Sequence, residues 1–300
     1  MCRANSVLSV GRRRSPYAEW VTRAALTWLK GHGTENDFIV VPDPDGVRDL
    51  DPTEVAALCH RRAGIGADGV LRVVRSTAID DPAAKAAADD GVEWFMDYRN
   101  ADGSLSEMCG NGVRVFIHYL VRAGFVDPSQ PVPVGTRGGV RVGTIRDDGR
   151  IGVDMGAVAL QGTTVVAASG RRHEATRVSV GNPHAVAFVG DLTDAGPLLE
   201  PPGFDAVDFP EGVNVEFVVR LGDRAIAMRV HERGSGETRS CGTGACAAAA
   251  AFASAEGIRL PASIGVRVPG GDLEVALRPD GGVDLIGPAV LVAEGTWLQG

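Results

Sequence analysis

Lysine is almost missing from this 300-residue chain, which has only Lys30 and Lys85. A cofactor held as a lysine Schiff base therefore has two candidate anchors. One sits at the edge of a basic start and the other in an acidic, alanine-rich stretch, so neither suits the task. No Walker A sequence occurs, and no Rossmann glycine motif joins a strand to a helix; the glycine turn of GIGADG leads into a strand instead. The five cysteines form no CxxC pair and no metal-ligand spacing with the six histidines, which excludes the common zinc and dithiol patterns. No run of about 18 apolar residues occurs that would cross a membrane. A net charge of -8 leaves no excess of cations to neutralise a nucleic-acid backbone. The composition points to a reduced, cytoplasmic protein without metal or cofactor, working on a small molecule.

The remaining composition is that of an ordinary globular enzyme, with 44% apolar and 23% charged residues, and its 40 glycines imply many turns and close backbone approaches. The length suits two cores of roughly 150 residues each. Arg3, Arg12, Arg13, Arg14, Arg23 and Lys30 face a single acid, Glu19, at the start, with no apolar run behind Arg14 as an export signal requires. Residues 1–26 are therefore expected to be a disordered extension.

Beyond it, LTWLKGHGTENDFIVV reads as strand, polar loop and strand, and DPTEVAALCHRR as a helix capped by Asp51 with Cys59 on its core face. STAIDDPAAKAAADDG reads as an acidic surface loop. The segment WFMDYRNADGSLSEMCGNGVRVFIHYLVRAGFV predicts a strand to Asn100, a glycine turn, and a helix from CGNG to Gly124. That helix is apolar nearly all round. Arg114, His118 and Arg122 recur at i, i+4 and i+8 and are expected to form a solvated or ion-paired face, which discounts His118 as catalytic.

The same order of strand, glycine turn, cysteine, glycines and helix recurs in AIAMRVHERGSGETRSCGTGACAAAAAFASAEGI. A single offset of 132 residues relates Met96 to Met228 and Cys109 to Cys241, which implies a duplicated unit. The alanines from Ala247 to Ala251 fit a second buried helix that strands approach closely.

Each cysteine precedes glycines at a helix start, beside unpaired backbone N–H groups and the positive end of the helix dipole. This setting is expected to lower the thiol pKa and to bind an anion. Inverting a stereocentre needs one group to remove a proton from one face and another to supply a proton to the opposite face. Two symmetric thiols meet that need, and the helix starts would hold the substrate carboxylate while negative charge develops.

The motifs GTENDF, RAGIGADG, NADGSLSEMCGNG, GNPH, GVNVEF and VHERGSGETRSCGTGA occur in this order from about Leu29 onward. On them the chain resembles the diaminopimelate epimerase family, whose members interconvert LL- and meso-diaminopimelate for lysine and peptidoglycan precursor synthesis without a cofactor. The resemblance implies an α+β fold of two pseudo-symmetric lobes, each a strongly curved, mainly antiparallel sheet or barrel wrapped around a central helix. Residues 27–153 with 288–300 would form the lobe of Cys109, residues 154–287 the lobe of Cys241, and two chains would form a homodimer. By the same resemblance Cys109 and Cys241 are the catalytic acid and base, and Gly110, Asn111, Gly242 and Thr243 bind the carboxylate. Asn36, Asn100, Asn182, Asn214, Glu232 and Arg233 are expected to contact substrate, with His184 and Glu232 tuning the cysteines. Glu35 and Gly69 stand where the family more often has glycine and glutamine. Proline or hydroxyproline racemases and phenazine-pathway isomerases share this general fold. A thiol redox or metal-binding protein would use the same two cysteines.

Overall fold

The computed structural model describes residues 26–298, so the expected N-terminal extension lies outside the described residues except for Leu26, which opens the first strand. The first half runs β1 (Leu26–Gly33), β2 (Asn36–Pro42), α1 (Pro52–Cys59), β3 (Gly69–Arg75), α2 (Pro82–Asp89), β4 (Trp94–Asn100), α3 (Gly110–Arg122), β5 (Val132–Gly135), β6 (Arg141–Ile145) and β7 (Ile151–Ala157). The second half runs β8 (Ala159–Ala168), β9 (Arg171–Ser179), β10 (Pro183–Phe188), β11 (Asn214–Gly222), β12 (Ala225–Glu232), β13 (Gly236–Thr238), α4 (Gly242–Ala255), β14 (Ala262–Val268), β15 (Gly271–Leu277), β16 (Gly282–Gly287) and β17 (Val290–Trp297).

Strand pairing repeats between the halves. In the first, β1–β2 is antiparallel, β2–β3 parallel, β3–β4 antiparallel, β4–β5 parallel, and β5–β6 and β6–β7 antiparallel. In the second, β9–β10, β10–β11, β11–β12, β12–β14, β14–β15 and β15–β16 follow the same alternation. The halves join where β7 pairs with β16, while β17 returns to pair with β1 and β8 pairs with β9. Each half is a curved sheet around one helix. The strands β1, β2, β3, β5, β6, β7 and β17 surround α3, and β9 to β12 with β14 to β16 surround α4.

A helix with sheet on nearly every side must be apolar nearly all round. Val113, Val115, Phe116, Ile117 and Leu120 of α3 are fully buried. So are Ala245 and Ala247 to Ala249 of α4, where methyl side chains leave the sheet close to the helix backbone. Both helices contribute to one continuous apolar core. Cys59 is buried in a separate cluster under α1, as its helical spacing predicts, and burial pushes its thiol up to about 12.

Two expectations fail here. The stretch read as an acidic loop contains α2, because Asp81 caps the Ala83 and Ala84 amides and Pro82 occupies the first turn. The basic stripe of α3 is not a solvated face. Arg114 is fully buried, His118 is half-buried, and Arg122 alone is exposed, paired with Glu294 of β17 at 2.7 Å. The sheet closes around the first two turns of the helix and leaves only its last turn at the surface.

Packing this close makes the α4 alanines sensitive to added volume. Ala248→Leu is expected to destabilise the protein by about 1–3 kcal/mol through overpacking, read as a lower urea midpoint. An unchanged midpoint would mean that α4 has room the structure does not show.

Candidate active site

The two cysteines occupy equivalent places. Cys109 is the N-cap of α3 and Cys241 the N-cap of α4, both in extended backbone conformation before a glycine. The glycines allow the two helix starts to converge. A Cβ on Gly110 would lie 2.8 Å from Met155 Sδ and 3.0 Å from Leu285 Cδ2; one on Gly242 would lie 2.8 Å from the same Leu285 methyl and 3.8 Å from the Asn111 nitrogen. Both helix N-termini thus lean on one buried leucine and open into one cavity of about 560 Å³.

Of the sequence-predicted residues, Asn36, Asn100, Asn182, Glu232 and Arg233 line this cavity together with both cysteine loops. Asn36 Oδ1 accepts from Cys109 Sγ at 3.4 Å and from Asn111 Nδ2 at 3.2 Å, while its Nδ2 donates to Asp68 at 2.8 Å. Asn111 also donates to the carbonyl and hydroxyl of Ser240, beside Cys241, which ties the two loops together. Cys241 Sγ accepts from the Gly244 amide at 3.4 Å and lies 3.6 Å from Thr243 Oγ1.

Two predicted residues stand behind the cavity wall. Asn214 is committed to backbone: its Nδ2 donates to Pro183 O at 3.1 Å and its Oδ1 accepts from the Arg233 N–H at 2.9 Å. His184 is fully buried, with Nε2 2.9 Å from Asn182 Oδ1 and Nδ1 2.7 Å from Glu216 Oε1.

Glu216 was not anticipated as a site residue. It is fully buried, and a Cβ on Gly244 would meet its Oε1 at 2.7 Å and Cys241 Sγ at 3.3 Å, so the carboxyl lies directly behind the second thiol. The signal was present in GVNVEF, where Asn214 and Glu216 share one strand face by alternation. Arg141 of β6 was also missed; it lines the cavity, and its Nε is buried without a hydrogen-bond partner.

The thiols shift opposite to expectation. Burial pushes Cys109 up to about 11, with the charge of Glu232 adding to it and the Gly112 and Asn111 amides and Arg114 only partly offsetting it. Burial also raises Cys241 well above the ordinary thiol range, and the carboxylates of Glu232 and Glu216 add to it. Desolvation outweighs the helix dipole, and that is a tertiary effect invisible in a CGxG motif. Burial raises Glu232 as well, against the hydrogen bonds from Thr238 and Cys241.

The departures from the family pattern lie nearby. Thr34 and Glu35 form the two-residue turn between β1 and β2 with φ of 51° and 61°, a conformation that favours glycine or asparagine. Glu35 ion-pairs with Arg239, two residues before Cys241. At Gly69 a Cβ would lie 2.4 Å from Arg99 O, so this backbone has no room for a side chain.

A profile described as diaminopimelate epimerase matches residues 28–161 and 176–292. A diaminopimelate epimerase of Streptomyces coelicolor is 55% identical over 92% of this chain and 98% of its own length. One of Thermobifida fusca is 52% identical over 90% and 97%. Among solved structures, a PhzF-family phenazine biosynthesis protein of Bacillus anthracis has a TM-score of 0.65 at 16% identity, covering 92% of this chain and 100% of that one. A hydroxyproline epimerase of Agrobacterium vitis with bound trans-4-hydroxy-L-proline has a TM-score of 0.62 at 15% identity, covering 92% and 91%. At such low identity these two structures establish the fold alone.

The charge of Glu232 adds to the upward shift of Cys241. Glu232→Gln is therefore expected to move half-maximal alkylation of Cys241 by iodoacetamide to lower pH, read by peptide mapping. A shift to higher pH would show that Glu232 does not act on this thiol through its charge.

Proposed function

The chain belongs to the diaminopimelate epimerase family, and we propose that it interconverts LL- and meso-diaminopimelate by passing protons through Cys109 and Cys241, with no cofactor. It is an isomerase of lysine biosynthesis. The observation that carries the mechanism is the pair of equivalent cysteine caps, one from each half, opening into a single cavity.

In this reading the substrate carboxylate lies between the helix starts, held by the Gly110, Asn111, Gly242 and Thr243 loops. The α-carbon then has one sulfur on each face. A thiolate on one side takes the α-proton and becomes a thiol. The electron pair left on carbon delocalises into the carboxylate, where two sets of backbone N–H groups and two helix dipoles stabilise it. The opposite thiol gives its proton to the other face and becomes the thiolate. Enzyme protonation is thereby reversed at the end of a turnover and is reset by the opposite reaction or by exchange with water. Asn36, Asn100, Asn182 and Arg233 recognise the remaining amino-acid end, Arg233 by a fork suited to a carboxylate. Asn214 acts through the Arg233 backbone, and His184 with Glu216 through Asn182. Glu232, hydrogen-bonded to Cys241 and raised by burial, is placed to share its proton.

We divide the chain into a lobe of residues 27–153 with the return strand β17, around α3, and a lobe of residues 154–287 around α4. Among the described residues no helix is long and apolar enough to cross a membrane, and four cysteines are free thiols. We place the chain in the cytoplasm, whose reducing conditions suit free thiols. Exposed Val290 and Val292 on β17 fit the face of a homodimer.

Purified protein is expected to convert LL-diaminopimelate to a mixture with the meso isomer without added pyridoxal phosphate. Cys109→Ala and Cys241→Ala should each lower kcat at least about a thousandfold with the fold intact, while Cys59→Ala retains activity. Normal turnover by either of the first two variants would remove the two-thiol mechanism. Sedimentation should give twice the 31.2 kDa chain mass, and a monomer would contradict the dimer.

A further inference from the structure

Arg114 is the largest fully buried side chain among the described residues, and no carboxylate among them pairs with it. Its Nη2 donates to Asn111 Oδ1 at 2.7 Å and to Thr34 Oγ1 at 3.4 Å, its Nε donates to Pro288 O at 3.3 Å, and its Nη1 is buried without a partner. The slot around it is shaped by two glycines. A Cβ on Gly33 would come within 2.9 Å of Nη2, and one on Gly287 within 3.3 Å of Cζ. A buried guanidinium without an anion is costly unless negative charge arises nearby during function.

Two thiols face it, Cys109 on its own helix and Cys246 of α4, and burial pushes Cys246 up to about 12, against about 11 for Cys109, so Cys109 is the one suited to carry that charge. The offset of 132 that relates Cys109 to Cys241 relates Arg114 to Cys246, so the second lobe has no equivalent cation. Behind Cys241 stand Glu216 of β11 and Glu232 of β12 instead, with Thr243 and the Gly244 amide on its own helix. Around Cys109 stand Tyr98 of β4, Asn36 of β2 and the same Glu232, with Arg114 one turn along its own helix. Arg141 and Arg233 line the cavity that both thiols share. Two thiols equivalent by backbone are thus inequivalent by charge.

We propose that Arg114 is a positioning residue that makes Cys109 the thiol that ionises first: its buried cation supplies the countercharge and holds the Asn111 amide with Oδ1 inward. With that oxygen taken, Asn111 Nδ2 must face Asn36 Oδ1, the atom that accepts from the Cys109 thiol. The guanidinium therefore acts on Cys109 both through space and through the two amides. Burial pulls Arg114 down to about 10, which leaves it protonated at neutral pH. The idea rests on the two-thiol reading, but its test reads the thiols and not turnover, so the two stand or fall separately.

The full chain, without substrate, is alkylated with iodoacetamide across a pH series, and each cysteine is followed by peptide mapping. In the unsubstituted protein Cys109 is expected to reach half-alkylation at lower pH than Cys241. Arg114→Gln should raise that pH for Cys109 by about one unit, a tenfold loss of thiolate at fixed pH, and leave Cys241 in place; Arg114→Lys should restore most of the shift. In turnover, kcat/KM of the glutamine variant should fall about tenfold at neutral pH and recover as pH rises. A structural role alone would lower it at every pH. Ionisation of Cys241 at or below the pH of Cys109 in the unsubstituted protein overturns the proposal, whether or not the glutamine variant folds. An unshifted Cys109 profile in a folded Arg114→Gln protein overturns it as well.

Discussion

Two helix N-termini meet at one cavity, and everything around them answers that constraint. Each carries about half a positive charge, so bringing them together is unfavourable unless negative charge lies between. The duplicated sheets supply the force that holds them. Each half wraps its strands around a helix too apolar to be left uncovered, and Leu285 sets the spacing at which Gly110 and Gly242 come to rest. The apolar core thus holds the two helix starts, with their like partial charges, against one another.

The same burial that makes the site tight also makes its thiols reluctant to ionise. A thiol too readily ionised would be a weak base, since basicity falls with pKa; a buried one is a stronger base once its proton has gone. The cost of making the thiolate falls to the charges nearby, and these differ between the lobes. Glu232 disfavours the anion at both thiols, Glu216 disfavours it at Cys241, and Arg114 favours it at Cys109. Duplication accounts for the shared geometry, and divergence at single positions such as Arg114 and Cys246 for the polarity.

Much of this was legible in the chain. Helix starts and strand ends are local signals, so Cys109 and Cys241 could be placed at equivalent caps from their shared offset and flanking glycines. What depended on distant packing was not legible. Arg114, His118 and Arg122 lie on one helical face, but whether it meets water is decided by sheet that closes over its first turns. The direction of the thiol shifts failed for a similar reason: the dipole is local to the motif and desolvation is not. Glu216 lies in GVNVEF on the same strand face as Asn214, yet its place behind Gly244 depends on the parallel pairing of β10 and β11. The α2 helix was a plainer miss, since Asp81 and Pro82 are an ordinary helix start within an acidic, alanine-rich surround.

In the proposed reaction two different sulfurs handle the proton, one on each face of the α-carbon. The most direct measurement of this is the isotope content of substrate and product in the earliest turnovers of unlabelled LL-diaminopimelate in deuterium oxide. Two thiols predict that newly formed meso product carries a solvent deuteron at the inverted carbon while the remaining LL substrate gains almost none. Product that keeps the original α-hydrogen, or LL substrate that exchanges as fast as product forms, would mean one base serving both faces and would contradict the two-thiol account.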